Sequence, residues 1–366
     1  MKNKILLMFP SKEDKGGVSI FCQILMENLS SSFEGEYFQI ANRPGNKNPL
    51  RRVLFFLQDI FRLRKTLKKN EYDAIHLNPS FKVLSLLRDS FFLVYIYKFY
   101  CKNILVMFHG WDTDLAERVK IKAYYKKLFK YIYLKAGVIL VLCGQFKQQL
   151  IDIGIPSQKI KIITAMFEKD LIASGSKDKK VLQKTVILFM SRLVKRKGAY
   201  IAAETGKLLM ENGYKDFSMI IAGEGPELAG IQRYIEKNRL GEYITTPGFV
   251  SGEKKRDIFS KSDIFLFPTS YGEGCPAVVI EAMGAGLVVI STPVAAIPNI
   301  VNNNENGFII DSKTPEPFYF AVKKLIENRG ILERIQKRNR AKAEKNYEVK
   351  VVTKEIELGY KEIINE

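Results

Sequence analysis

Histidine and cysteine are scarce in this chain of 366 residues, which has two of the former and four of the latter. The cysteines show no CxxC spacing, so neither a disulfide framework nor a Cys/His zinc site is expected, and a reducing cytoplasm fits. No uncharged apolar run reaches 18 residues, and Ile5–Phe9 is too short for a secretory signal, so neither a membrane span nor a leader is predicted. GxGxxG and GxxxxGK(S/T) are missing, so hydride transfer and P-loop chemistry lose support.

Positive charge is abundant, with 58 Lys and Arg against 39 Asp and Glu and a net charge of +19. Residues 1–165 carry 27 basic and 13 acidic side chains, so the excess lies mainly in the first half. Three segments there mix basic with apolar and aromatic residues: Arg51–Lys69, Lys82–Lys102 and Arg118–Lys135. Such helices are typical of proteins that bind an anionic bilayer, although apolar stripes packed on a sheet give the same pattern. Nucleic acid is the rival partner, but no reader motif occurs, so no nucleic acid is expected.

Short β-branched runs alternate with longer amphipathic segments, first before residue 165 and again after residue 185. The predicted strands are Ile5–Phe9, Ala74–Leu77, Ile104–Phe108, Val138–Cys143, Val186–Met190, Met219–Ala222, Ile264–Phe267 and Leu287–Ile290. Helices are predicted near residues 197–212, 226–238, 276–284 and 316–345 in the second half. This alternation predicts an α/β protein of two tandem Rossmann-like domains with parallel sheets.

The predicted boundaries follow from composition. Residues 1–168 form the N-terminal domain, the polar segment 169–184 is a linker, and residues 185–347 form the C-terminal domain. We expect a last helix, at about residues 348–366, to pack back onto the N-terminal domain.

Residues that follow the strands are the first place to look for a site, because open parallel sheets bind ligands beyond the carboxyl ends of their strands. Gly16 and Gly17 follow the first strand and open a helix, where backbone amides favour a phosphate; a tight turn would require the same residues. Asp112-Thr113-Asp114 spells DxD, which suits a divalent metal, but a helix cap explains it better.

Two glutamates eight residues apart, Glu273 and Glu281, span a loop and the helix that it leads into. A diphosphate could bind the amides near Cys275–Val278, which would leave one carboxylate for a sugar hydroxyl and the other for ribose hydroxyls.

This segment resembles the retaining glycosyltransferases of the GT-B fold, most closely glycosyltransferase family 4, whose signature is Glu, seven residues, then Glu-Ala-Met-Ala/Gly-x-Gly. Three further stretches are similar to family motifs in the same order: Ser191-Arg192-Leu193 with Lys197-Gly198, Gly223-Glu224-Gly225-Pro226, and Gly248-Phe249-Val250. The resemblance implies a GT-B fold with an interdomain cleft.

The resemblance also implies roles for individual residues. Arg192 and Lys197 hold the donor pyrophosphate, Glu281 the ribose and Glu273 the transferred sugar, while His109 lines the sugar pocket. The other implied donor contacts are Gly16, Gly17, Gly223, Val250, Gly274, Cys275, Pro276, Ala277 and Val278. Cys275-Pro276 stands where many members have Phe-Gly, so the identity of the sugar stays open.

The expected protein is a cytoplasmic, metal-independent retaining hexosyl- or glycosyltransferase without a cofactor. Its donor would be a UDP- or GDP-sugar and its acceptor a glycan or polyprenyl-linked hydroxyl, in surface polysaccharide biosynthesis. We expect it to bind peripherally to the inner face of the cytoplasmic membrane. The alternatives are a nucleotide-sugar epimerase on the same fold and a catalytically inactive sugar-nucleotide-binding subunit.

Overall fold

Two six-stranded parallel sheets, each covered by helices, organise the chain. The computed structural model describes residues 2–13, 16–40, 49–169, 184–272 and 274–365. One unit comprises Met1–Ala165 together with Val349–Glu366, and the other comprises Met166–Glu348. Most of the segment predicted as a linker, residues 170–183, lies outside the described residues.

The first unit has a main sheet of strand order β2-β1-β3-β5-β7-β8 and a small parallel pair, β4-β6. The strands are β1 (Asn3–Phe9), β2 (Phe33–Gln39), β3 (Ala74–Leu77), β4 (Ser80–Phe81), β5 (Ile104–Met107), β6 (Gly110–Trp111), β7 (Val138–Val141) and β8 (Ile160–Ile162). The helices are α1 (Gly17–Glu27), α2 (Pro49–Lys69), α3 (Val83–Phe99), α4 (Thr113–Ile121), α5 (Ala123–Tyr133) and α6 (Gly144–Ile153).

The second unit has strand order β11-β10-β9-β12-β13-β14, again all parallel. The strands are β9 (Thr185–Met190), β10 (Phe217–Ala222), β11 (Ile244–Gly248), β12 (Ile264–Phe267), β13 (Val288–Ser291) and β14 (Gly307–Ile309). The helices are α7 (Ala199–Glu211), α8 (Leu228–Lys237), α9 (Gly252–Lys261), α10 (Ala277–Gly284), α11 (Ile297–Ile300), α12 (Glu316–Glu327) and α13 (Arg329–Asn346). This is the strand order of the doubly wound Rossmann fold.

Every predicted strand is present, with ends shifted by no more than a few residues, and all eight lie inside the two sheets. Four strands of the two main sheets were not predicted: β2, β8, β11 and β14. They are the four edge strands. The α/β prediction with two Rossmann-like domains is therefore confirmed.

Two long helices predicted from the sequence are each interrupted. The helix predicted over 316–345 breaks at Asn328, whose side chain donates to the carbonyl of Lys324 and competes with the next helical turn. The segment Arg118–Lys135 breaks at Lys122, which has extended backbone. The two halves then pack on different neighbours, since Lys120 pairs with Asp152 of α6 while Tyr133 meets Ser90 of α3.

The last helix, α14 (Val349–Asn365), packs on the first unit against β3, β5, β7 and α1. Its Tyr360 hydroxyl lies 2.7 Å from Nδ1 of His76 in β3, and its Glu357 carboxylate accepts the backbone N–H of Ser30. His76 is fully buried, and burial lowers its pKa to about 3, with a smaller effect from His109. His76 is therefore a core residue that anchors α14.

None of the helices among the described residues combines the length and the apolar content needed to cross a bilayer.

We expect the pH dependence of stability to reveal the buried His76. An unfolded histidine takes up a proton below about pH 6.5, whereas folded His76 stays neutral to about pH 3, so stability falls as the pH drops through this window. In His76→Gln, which has no charge to gain, the free energy of unfolding measured by denaturant titration should depend less steeply on pH between about 6.5 and 4. Tyr360→Phe is the control, because it removes the hydrogen bond and leaves the titrating group. Equal slopes in His76→Gln and the parent would contradict the prediction.

Candidate functional site

The strand order of the second sheet reverses between β9 and β12, so the chain leaves their carboxyl ends in opposite directions and opens a crevice there. The loop after β9 carries Arg192 and Lys197, and the loop after β12 leads to α10. The two loops touch, because the N–H of Ser270 donates to the carbonyl of Arg196 at 2.8 Å and the Arg196 guanidinium donates to the carbonyl of Ser270. The predicted phosphate residues Arg192 and Lys197 thus lie on a loop that contacts the loop leading to α10.

Two glycines make this close approach possible. Gly198 has φ +86°, and a Cβ there would overlap the carbonyl of Pro268 after β12. Gly223, after β10, has φ +140°, and a Cβ there would overlap the carbonyl of Ser191 after β9. Only glycine tolerates both the backbone angles and the contact. Close packing of the loops after β9 and β10 therefore requires glycine at position 223, whether or not Gly223 contacts a donor.

Arg192 and Lys197 lie close enough to influence each other electrostatically. Arg192 is exposed, whereas Lys197 is half-buried at the end of a 3₁₀ turn, with Nζ 4.7 Å from the ring centroid of Tyr271. Burial, and to a smaller extent the nearby positive charge of Arg192, lower the pKa of Lys197 to about 8. Two cations held together favour an anion between them.

Helix α10 follows the loop after β12, and its N-terminus lies at the end of that loop. It begins at Ala277 after Pro276, a residue without a side-chain acceptor for the first-turn amides, and no acidic residue occupies the first turn. Ala277 is exposed and Val278 half-buried, so this end of the helix is accessible. The helix dipole and these amides favour an anion.

Glu281 lies one turn further along α10, half-buried, and its Oε1 accepts a hydrogen bond from Nζ of Lys255 at 2.7 Å. Lys255 belongs to α9, which begins shortly after the buried Val250. The sequence did not single out Lys255, which sits in the run Lys254-Lys255-Arg256 with no local signal of a special role. The pair places the β11–α9 segment beside α10.

The remaining predicted donor contacts are near the start of α10. Gly274 is buried, and its carbonyl accepts the N–H of Ala296; Cys275 is half-buried. Burial, together with the neighbouring Cys275, raises the pKa of Tyr347 to about 12, which identifies Tyr347 as a neighbour that the sequence did not indicate. Glu273 lies outside the described residues.

The candidates of the first unit lie around the end of β5 and the start of α1. His109 follows β5, and its Nε2 lies 2.8 Å from Oδ1 of Asn78, whose amide nitrogen donates to the carbonyl of Met8. The ring also packs edge-on against Phe21 of α1, the helix that Gly16 and Gly17 open. Burial lowers the pKa of His109 to about 3, so the ring is neutral; with Nε2–H donating to Asn78, Nδ1 is its acceptor.

Asp112 caps α4: its Oδ1 accepts the backbone N–H of Leu115 at 2.9 Å. Asp114 lies in the first turn of the same helix, where a negative charge is favourable. The capping interpretation of the DxD sequence is confirmed. Across the described ranges, no group of three or more His, Cys, Asp or Glu side chains could hold a metal ion.

Comparison with known proteins matches both halves of the chain to family models. Residues 18–165 match the model described as Glycosyltransferase Family 4, and residues 174–343 match the one described as Glycosyl transferases group 1. The amylovoran biosynthesis glycosyltransferase AmsK of Erwinia amylovora is 27% identical over 210 residues, which are 56% of this chain and 50% of AmsK. The chain spans 50–63% of the length of three curated relatives that it matches, AmsK among them.

Solved structures share the fold at low identity. Sucrose-phosphate synthase from Thermosynechococcus elongatus matches with a TM-score of 0.77 over 100% of both chains at 15% identity. HepE of Anabaena, solved in complex with UDP and glucose, matches with a TM-score of 0.71 over 97% of this chain and 98% of that one, also at 15% identity. The chain has the GT-B fold.

We expect Arg192→Gln to raise the pKa of Lys197 from about 8 toward the ordinary lysine value, because it removes the like charge beside the amine. Amine labelling of Lys197, followed by mass spectrometry as a function of pH, measures the change. Arg196→Gln is the matched control, since the guanidinium of Arg196 binds the carbonyl of Ser270. A labelling profile of Lys197 that is the same in Arg192→Gln and the parent would refute the coupling.

Proposed function

We propose that this chain, which belongs to the GT-B glycosyltransferases, transfers a sugar from a nucleotide sugar to a hydroxyl group of an acceptor. The family models matched by both halves support this reaction class. The complex of HepE with UDP and glucose supports a UDP-sugar as the donor, with a GDP-sugar as the alternative.

The observation that carries the proposal is that Arg192 and Lys197 lie close together on a loop that contacts the loop leading to α10. As the glycosidic bond to the donor breaks, negative charge builds up on the nucleoside diphosphate. Cations already held in place stabilise that charge without reorganising during the reaction. A lysine with a pKa of about 8 can also gain charge when the diphosphate binds, because the anion raises its pKa again.

Glu281 is assigned to the ribose. Its Oε1 is held by Lys255, which fixes the carboxylate and leaves Oε2 available to accept from vicinal hydroxyls. Ala277 and Val278 would supply amides to the diphosphate, with Gly274, Cys275 and Pro276 forming the turn that presents them. Glu273 is assigned to the transferred sugar on the resemblance alone.

We assign the acceptor to a glycan or a polyprenyl-linked hydroxyl in polysaccharide biosynthesis, with the enzyme at the inner face of the cytoplasmic membrane. The name of AmsK, an amylovoran biosynthesis glycosyltransferase, supports the pathway class. The basic first unit supports contact with anionic lipid. Retention at the anomeric carbon is proposed from the resemblance to family 4.

Lys197→Met is expected to weaken UDP binding by about tenfold or more, since a hydrogen bond to a charged group contributes about 1.5–3 kcal/mol. Uridine binding should stay unchanged, because uridine has no phosphate for Lys197 to contact. Isothermal titration of both ligands measures the difference, and GDP with guanosine serves if UDP does not bind.

Lys195→Met is the control for this measurement, as it removes an exposed cation from the same turn. Equal losses for UDP and uridine, or none for either, would remove Lys197 from a diphosphate site.

Activity is expected to survive EDTA, since the proposed charge stabilisation uses protein groups only. Turnover of the nucleotide sugar, followed as released nucleoside diphosphate with acceptor present, is the measurement. Loss of turnover that Mg²⁺ or Mn²⁺ restores would overturn the metal-free proposal. Conversion of the donor to its epimer without acceptor would instead favour the epimerase alternative.

A further inference from the structure

Large apolar side chains that face solvent are concentrated on the first unit. Fourteen of the nineteen found among the described residues lie on α2, α3 and the α4–α5 segment. Leu84 and Leu87 of α3 are 72% and 67% exposed, and Phe61 of α2 is 70% exposed. The described residues of the second unit expose two such side chains, Phe249 and Phe320. This distribution differs from the single scattered residues that an ordinary surface exposes.

Helix α3 has two apolar sides. Phe92, Leu93 and Ile96 are buried, while Leu84, Leu87 and Phe91, three and four residues apart, form a second stripe that faces solvent. Helix α5 repeats the arrangement with Phe129 and Tyr133 inside and Tyr124, Leu128 and Tyr131 outside. A helix that only covers a sheet has a polar outer side, so packing in the core does not explain the second stripe.

Helices α2, α3 and α5 are neighbours. Phe56 of α2 lies 5.3 Å from the ring of Phe91 in α3, and Ser90 of α3 donates to the hydroxyl of Tyr133 in α5. Right-handed crossovers between the parallel strands place these helices on one side of the sheet. We call the solvent-facing sides of α2, α3 and α5 the three-helix surface.

Charge on the three-helix surface has one sign. Residues 49–69, 82–102 and 118–135 contain only two acidic residues, Asp59 and Asp89. Both are buried and paired, Asp59 with Arg62 and Asp89 with Arg88. Exposed lysines, among them Lys82, Lys98, Lys127 and Lys130, lie beside the apolar stripes. The acidic side chains of these segments are thus buried, whereas basic side chains are exposed on the three-helix surface.

We propose that the three-helix surface docks on an anionic lipid bilayer, with Leu84, Leu87 and Phe91 entering the acyl-chain boundary. Lysine side chains are long enough to keep their ammonium groups among lipid phosphates while their stems lie along apolar surface. Tyrosines such as Tyr124 and Tyr131 suit the same boundary, since one end of the ring is apolar and the other polar. The inference deepens the proposed function by naming the part of the first unit that meets the membrane.

The test uses the full chain and vesicles of phosphatidylcholine with about one-third phosphatidylglycerol. The parent should float with these vesicles at about 0.15 M salt and keep part of its binding at about 1 M salt, where charge attraction is screened and apolar insertion is not. Leu84→Ser/Leu87→Ser should lower the partition coefficient about tenfold. Phe320→Ser changes a large apolar residue of the second unit that is 61% exposed, and it should behave as the parent.

Insertion can be seen directly, because the only tryptophan, Trp111, is buried against Phe146. Acyl-chain bromines should quench the added fluorescence of Leu84→Trp and leave that of Phe320→Trp and of the parent unchanged. A parent that stays unbound, a serine pair that floats as the parent does, or an unquenched Leu84→Trp each overturns the proposal. Binding of DNA or of a protein without vesicle binding overturns it as well.

The experiments distinguish failure of the membrane-docking proposal from failure of the proposed function. The Leu84→Ser/Leu87→Ser variant should keep the parent's affinity for UDP, since both leucines are exposed and belong to the first unit. Lys197→Met should keep the parent's vesicle binding. If the parent binds UDP but not vesicles, the three-helix surface and the membrane location are refuted, whereas the proposed sugar transfer is not.

Discussion

Backbone contact between the loops that follow β9, β10 and β12 is the constraint on which the candidate site depends. Gly198 and Gly223 leave no room for a side chain, and the N–H of Leu193 donates to the carbonyl of Glu224 at 2.7 Å. Main chain packed on main chain has little freedom to shift, so Arg192 and Lys197 keep their place relative to α10. An electrostatic site works best when its charges are fixed before the ligand arrives.

Sequence patterns predicted the middle of both sheets and missed their rims. Strands β5, β7 and β12 are covered on both faces and read as continuous runs such as Ile264–Phe267. Edge strands are covered less, so charged and polar residues enter them: β2 contains Glu34 and Glu36, and β11 ends in Thr-Pro-Gly. Their strand character comes from a neighbour that local periodicity does not contain.

The candidate site divides in a similar way. Residues in one short motif, such as Cys275 to Glu281, could be found because a loop and the helix after it are local in sequence. Sequence patterns could not identify Lys255, Asn78 and Tyr347, since each meets its partner only in the folded protein. Lys255 and Glu281, for example, belong to two different βα units. The breaks at Lys122 and Asn328 were missed because helical periodicity continues across both.

Helix α14 is synthesised last but belongs to the unit that is synthesised first. Residues 349–365 emerge from the ribosome after the whole second unit, yet Gly359 of this helix lies against Leu105 and Val138 in the first sheet. When residues 166–348 have been translated, the second unit is complete, but α14 does not yet cover its side of the first sheet. The half made first is thus the half finished last, because β3, β5 and β7 lack the cover of α14 until residues 349–365 have been made.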